Sequence, residues 1–330
     1  MSQHMLHKIS IKSIKETYFS LFLVAIIGLG LSVTAFVYVK QWEIKQAIEI
    51  HKKQHDYVRV LQQTFITLEN ILSSIRGLYY VHNQITQQSF TKFTESDLLT
   101  HSGIQALEWV SVTSTIENKF WELSPLNKRQ SVGQRNIYYP VRFSESKNNY
   151  ISRLDYDISS NPILKQALET AQDSGQFTTS GVIEILTDTK KIFGLNVFMP
   201  VYKNNNSSHV TVAERRNNLI GFAVGTISLD SLAENILRIR KQRTTAVLQI
   251  FDITPNTTTK DLYSPAWYKG QDYDPDRNLW QDYLDIGGRS WHITFSKTSE
   301  APFHQTWYAW IVLGIGLLFT LGLSRYIYII

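Results

Sequence analysis

The sequence predicts an α+β region held outside the cytoplasm between two transmembrane helices. Three observations lead there. Residues 17–39 and 305–324 are both uncharged and apolar, residues 40–82 read as one uninterrupted helix, and everything between 85 and 304 alternates strand-like and helical runs. With 330 residues, 43% hydrophobic and 18% charged, the chain can bury a core and is not of the disordered class.

The first run, TYFSLFLVAIIGLGLSVTAFVYV, extends roughly 34 Å as a helix, enough for a hydrocarbon core of about 30 Å. A cleaved signal peptide has a shorter apolar core and a small-residue cleavage site. Here the run ends instead in Tyr38, Lys40 and Trp42, residues suited to a membrane interface. The second run, QTWYAWIVLGIGLLFTLGLS, begins with Trp307, Tyr308 and Trp310 and closes on Arg325. Gly28, Gly30, Gly314 and Gly316 lie within these runs and are read as small residues permitting close helix packing, not as phosphate loops. Lys8, Lys12 and Lys15 precede the first span and Arg325 follows the second, so both ends are expected in the cytoplasm. The chain stops at Ile330 soon after the second span, and a cytoplasmic output module is expected beyond it.

The implied organisation is a cytoplasmic N-terminus (1–16), a first span (17–39), a stalk helix (40–84), a membrane-distal sheet domain (85–214), a membrane-proximal one (215–304), a second span (305–324) and the start of a cytoplasmic region (325–330). In the stalk, Val58, Leu61, Phe65, Leu68, Leu72, Ile75 and Tyr79 form a heptad-like stripe. Such a stripe can seat on a globular domain or pair with a second copy, and a homodimer is expected on that ground. Strands are predicted around 104–112 and 136–144, the latter an edge because of Pro140. PILKQALETAQDSG is a helix with Asn161 as its N-cap, Pro162 in its first turn and Gly175 as its C-cap. Further strands follow around a turn at Asp188, then a surface loop at 203–209. Next come a strand (LIGFAVGTISL), a helix capped by Asp230, another strand and a hairpin turning at Gly287-Gly288.

The net charge of +5 is spread thinly, and no basic patch suited to nucleic acid is present. The absence of cysteine excludes disulfides, thiolate catalysis and cysteine-held metals. His51 and His55 have the i, i+4 spacing of a metal pair but no third ligand nearby, so a solvated helix face is the reading. No metal or cofactor is expected. Serine-hydrolase, zinc-protease and phosphate-loop motifs are missing, and Glu108 is a lone acid in a strand, so no catalytic residue is assigned. Aromatic-rich strands can wall a small-molecule pocket, here by Trp109 and Tyr139 with Asp157 as polar anchor. A buried carboxylate there calls for a donor-rich or cationic ligand. From the residues alone, Asp155 and Asp157 are equally good turn or capping groups.

Several segments together resemble the CHASE domain family, a sensor module found between two membrane spans. They are SGIQALEWVSV, YYPVRFSES, LDYDISSNPILKQALETAQDSGQFTTS, GLNVFMPVYK, TVAERRNNLIGFAVGTISLDSLAENIL and GGRSWHITF, over about residues 60–300. The resemblance implies a stalk helix followed by two tandem PAS-like mixed sheets, the distal one binding the ligand. It also implies an output module such as a histidine kinase or a diguanylate cyclase or phosphodiesterase. The TVAER and SLAENIL pieces resemble the plant cytokinin receptor branch, in which an Asp before the central helix bonds an adenine-type ligand. That position is Asp157 here. Thr179 falls where those receptors place an apolar pocket residue, which points to a more polar pocket and a different ligand. The expected site is therefore Asp157, Thr179, Tyr139 and Trp109, in a plasma-membrane receptor with its sensor on the periplasmic or extracellular side. The rival reading is a membrane-anchored adhesion or assembly domain with no ligand.

Overall fold

The computed structural model describes residues 3–81, 85–115, 117, 119–123, 128–147, 150–185, 187, 192–203, 211–238, 246–255, 261–264, 278–297 and 308–329. The turn at Asp188, Trp307, all of the loop 203–209 but its first residue, and the side chains of Lys8, Lys12, Lys15, His51 and His55 lie outside what is described. Two compact units are distinguished, residues 56–301 and the residues flanking them.

The flanking unit contains the first part of helix α1 (Gln3–Val81) and helix α6 (Tyr308–Ile329). Tyr18–Trp42 and Tyr308–Tyr326 are long and apolar enough to cross a membrane. Large side chains such as Phe19, Leu31, Leu318 and Phe319 face outward, which water would penalise and lipid would not. The two helices approach through small residues. A Cβ on Gly28 would come within 2.4 Å of Thr320 Oγ1, and one on Gly316 within 2.3 Å of Ser32 Oγ. Each of those hydroxyls donates at 2.8 Å to a carbonyl one turn earlier in its own helix, Ser32 to Gly28 and Thr320 to Gly316. The polar groups are thus satisfied without water. Phe36 and Trp310 pack with ring centres 5.0 Å apart. Gly30 and Gly314 meet nothing, so two of the four glycines form the packing surface.

In the central unit, the stripe on α1 is core. Val58, Leu61, Phe65, Leu68, Leu72 and Ile75 are buried in one cluster with both sheets, while Arg59, Gln62, Gln63, Glu69 and Asn70 face solvent. The stripe therefore seats on the globular domain: its apolar face is consumed within the chain. Helix α2 (Gln87–Thr100), not foreseen, is closed by a capping box between Thr86 and Ser89 and buries Phe90, Thr94 and Leu98.

The larger sheet comprises β1 (Ile104–Ser111), β4 (Val141–Ser146), β5 (Thr178–Thr179), β6 (Ile183–Ile185), β7 (Ile192–Tyr202) and β8 (Leu219–Ser228). Its order is β4-β1-β8-β7-β5, with β6 also on β7. β4 lies at the edge, as Pro140 just before it requires. β2 (Trp121–Leu123) and β3 (Arg129–Ser131) form a separate hairpin. The second sheet has β9 (Ala246–Asp252), β10 (Asp261–Tyr263), β11 (Asn278–Ile286) and β12 (Arg289–Lys297), in the order β10-β9-β12-β11.

The α+β class with tandem sheets is as the sequence implies, but every strand pairing in both sheets is antiparallel rather than mixed. β8 lies between β1 and β7, so the strand that a division at 214/215 gives to the second domain belongs to the first sheet. The changeover falls after helix α5 (Leu229–Arg238). Asp230 is inside the first turn of α5 rather than at its cap. Ser228 takes that place, its hydroxyl accepting from Ser231 N at 3.2 Å.

Helix α3 (Pro162–Ser174) has the expected ends. Asn161 accepts from Ile163 N and Leu164 N, and Gly175 takes a left-handed φ of 74°. Helix α4 (Val212–Asn218) begins with a capping box between Thr211 and Glu214, and Arg215 and Arg216 in its last turn reach Asp173 at the end of α3.

Candidate functional site: a small cleft over a buried ion pair

The larger sheet is apolar on the face that meets α1. Its other face carries polar groups in the middle of three apolar strands. Asn196 on β7 stands opposite Thr226 on β8, and Thr226 stands opposite Ala106 on β1, two residues from Glu108. All three polar side chains are buried, at 0%, 1% and 0% exposure. Arg153, 4% exposed and held on the irregular segment before α3, closes the set.

Its guanidinium meets Glu108 with two nitrogens, Nε donating to Oε1 at 3.2 Å and Nη2 to Oε2. Nη2 also lies 3.4 Å from Thr226 Oγ1. The hydrogen-bond pattern orients Asn196 with its amide oxygen on Arg153, at 2.9 Å from Nη2 and 3.1 Å from Nη1, and its nitrogen on Thr226. Ser144 Oγ (3.4 Å) and Tyr150 OH (3.5 Å) complete the shell of Glu108. Burial opposes the charge on Arg153, but the adjacent carboxylate holds its pKa above the ordinary arginine value. Burial also pushes the Tyr150 hydroxyl upward.

Above this floor lies a cleft walled by Leu123, Tyr150, Tyr156, Leu164, Ile183 and Ile185, with Arg153, Asn161, Glu184 and Thr226 as its polar groups. Its enclosed space is about 30 Å³, room for about two water molecules. Apolar and aromatic walls with a few fixed polar groups are the lining of a small-molecule site, and this one would have to widen to admit an organic molecule.

The four residues expected to form the site are not brought together around this cleft. Trp109 packs on the α1 side, its ring 3.5 Å from that of Tyr79 and nearly parallel to it. Tyr139 packs against Phe222, and burial together with Glu169 and Asp157 raises its pKa to about 12. Thr179 sits on the edge strand β5, 1% exposed.

Asp157 is fully buried, and its carboxylate is engaged within the chain. Oδ1 accepts from Tyr139 N (3.0 Å), Ser159 N (3.1 Å) and Ser159 Oγ (2.8 Å), while Oδ2 accepts from Arg135 Nη1 at 2.5 Å. It caps the short 3-10 turn Ile158–Ser160 that leads into α3. Arg135 also pairs with Glu122, so one guanidinium spans two carboxylates.

Asp155 has a left-handed φ of 61°, a conformation that aspartate tolerates better than most residues. It lies near Lys119 (3.5 Å) and Arg142 (3.8 Å) at the surface of the same turn. The two acids therefore differ in kind: one is a buried cap, the other a half-buried turn residue.

Sequence reasoning passed over Arg153, Asn196 and Thr226. A signal was present, since Glu108, Asn196 and Thr226 each interrupt an otherwise apolar strand. Lone polar residues in such runs are costly unless they meet one another. Among the described residues no group of three or more His, Asp or Glu could hold a metal.

This is an α+β domain with a cleft over a buried polar floor, in a chain that also has two helices able to cross a membrane. The chain belongs to the CHASE domain family, whose profile matches residues 83–263, more than half of the sequence. It is 21% identical over 335 residues to the hybrid signal transduction histidine kinase A of Dictyostelium discoideum, covering 89% of this chain and 15% of that protein. It is 22% identical over 218 residues to the probable histidine kinase 6 of Oryza sativa subsp. japonica, covering 63% of this chain and 22% of that protein. The chain thus spans under a quarter of the length of either relative. Among solved structures, a methyl-accepting chemotaxis protein X aligns over 76% of this chain and 98% of its own, at 10% identity and a TM-score of 0.46.

The geometry of Asp157 yields a prediction. Asp157→Ala leaves Tyr139 N and Ser159 N without their acceptor and Arg135 without one carboxylate. It is expected to cost about 2–4 kcal/mol and to lower the melting temperature of the full chain in detergent by on the order of 10 °C. Asp157→Asn keeps one acceptor oxygen and should cost less. A melting temperature for Asp157→Ala within about 2 °C of the parent contradicts the capping role.

Proposed function

We propose that this chain is the sensory input region of a membrane receptor. The sensor lies outside the cytoplasm, both chain ends lie inside it, and a small organic ligand binds the cleft over the Glu108–Arg153 pair. Binding shifts the balance between two conformations of the domain, and a cytoplasmic histidine kinase or a diguanylate cyclase or phosphodiesterase reads the change. The observation that carries this reading is the family match over the larger sheet and its cleft, in a chain bracketed by two membrane-competent helices.

Tyr150, Tyr156 and Ile183 would provide apolar contact, and Asn161 and Thr226 hydrogen bonds. Asp157 would act on the ligand indirectly, by fixing Tyr156 beside it and the turn into α3. An adenine-like ligand held by Asp157 itself would first have to displace Arg135, because the other carboxylate oxygen already accepts three bonds. Trp109, Tyr139 and Asp157 are buried against other side chains, and this favours a second reading, an anchored assembly domain without a ligand.

One experiment separates the two. The full chain in detergent is screened by thermal shift against a panel of nucleobases, amines, amino acids and carboxylic acids. Hits are then repeated on Leu123→Trp, which fills the cleft from its half-buried rim. The sensor reading predicts at least one compound that stabilises the parent and not the variant. No stabilising compound, or equal stabilisation of both, supports the second reading. Orientation is checked with topology reporters fused at residues 1 and 330. Both are expected to report the cytoplasm, and reporters on opposite sides would reject the two-span arrangement.

A further inference from the structure

A hydrogen-bonded path runs from the cleft floor to the second sheet. It starts at the Arg153 guanidinium, which meets the Asn196 amide oxygen. The Asn196 backbone is tied twice to Ser180: its N–H donates to Ser180 Oγ at 2.9 Å, and its carbonyl accepts from Ser180 N at 2.8 Å. The next residue back, Thr179, donates its backbone N–H to Gly287 O at 2.9 Å. Gly287 and Gly288 form the turn of the β11–β12 hairpin, with φ of 54° and 77°.

The approach is tight on one side only. A Cβ on Gly287 would lie 2.3 Å from Thr179 Oγ1 and 2.7 Å from Thr179 N, whereas one on Gly288 would meet nothing within 4 Å. Beside this contact, a Cβ on Gly181 would lie 3.1 Å from Ile163 of α3 and 3.7 Å from the Arg289 guanidinium of β12. Arg289 is anchored in turn on the buried Asp252 of β9, its Nε donating at 2.8 Å. Thr179 Oγ1 is buried and has no hydrogen-bond partner among the described residues. The docked state therefore buries a hydroxyl to which the described residues offer no partner, and burial of such a group weakens the contact.

We propose that the contact of Thr179–Gly181 with the Gly287–Gly288 hairpin is a joint with docked and released states, coupling the cleft to β12, the last described strand before α6. A rearrangement of Arg153 and Asn196 would reach the hairpin through Ser180 and Thr179. The joint has the parts such a switch needs: a bridging hydrogen bond, a close steric fit and, on the docked side, a buried hydroxyl with no partner among the described residues. It does not depend on which molecule fills the cleft.

The test needs no ligand. The full chain, which has 8 tryptophans, is labelled with 5-fluorotryptophan, and the resonance of Trp291 on β12 is assigned with Trp291→Phe. Thr226→Val then perturbs the cleft floor without changing side-chain shape. The proposal expects Thr226→Val to shift the Trp291 signal in the parent and in Gly288→Ala. In Gly287→Ala, which forces the hairpin off Thr179, the shift should collapse to within the linewidth. Gly288→Ala controls for the strain of a side chain at positive φ. Should Gly287→Ala fail to fold, Thr179→Pro on the edge strand removes the N–H that donates to Gly287 O and should abolish the shift likewise. No shift in the parent, or a shift that persists in the folded hairpin or Thr179 variant, overturns the joint.

Discussion

The Glu108–Arg153 pair is the interaction on which the upper half of the domain depends. A carboxylate and a guanidinium both removed from water are tolerable only when each is paired and its remaining hydrogen-bonding capacity is met. Here Asn196 and Thr226 meet it from two neighbouring strands, and Tyr150 and Ser144 from the edge. The pair fixes the irregular segment carrying Arg153 on the sheet, and that segment forms one wall of the cleft. Replacing the pair by apolar residues would give an equally dry core. It would not place the Tyr150–Tyr156 segment with the same definition.

Asp157 organises the other side of the same segment. By taking bonds from Tyr139, Ser159 and Arg135 it fixes the turn that launches α3, and Asn161 and Pro162 then start the helix. The cleft is therefore framed by two buried acids that have internal partners. What they leave open is mostly apolar and aromatic, and the space above the floor would recognise a ligand mainly by shape. The stalk part of α1 supports the opposite face of the sheet, where Leu68 and Leu72 occupy the core and Tyr79 stacks on Trp109.

Much of this was legible from the sequence because it is written in local signals. The caps at Asn161 and Gly175, the glycine turn at 287–288, the edge position implied by Pro140 and the two apolar runs all follow from chemistry within a few residues. Longer-range features were harder. The α1 stripe has the same periodicity whether it meets a sheet or a second helix, and only the fold shows that it meets the sheets. A division at 214/215 gives β8 to the second domain because strand order cannot be read from strand content. Asp157 looks like a pocket anchor in outline, yet its neighbour in space, Arg135, is 22 residues away in sequence. The ion pair was missed for the same reason: Glu108 and Arg153 are 45 residues apart.

Energetic coupling within the Glu108–Arg153 pair is the property on which the cleft floor depends. A double-mutant cycle on the full chain, with Glu108→Gln, Arg153→Met and the two combined, measures it by chemical denaturation. Each single change should cost about 3–5 kcal/mol by leaving a buried partner uncompensated, and the double should cost less than their sum by about 2 kcal/mol or more. Costs that add to within about 0.5 kcal/mol would show two independent residues and contradict the account.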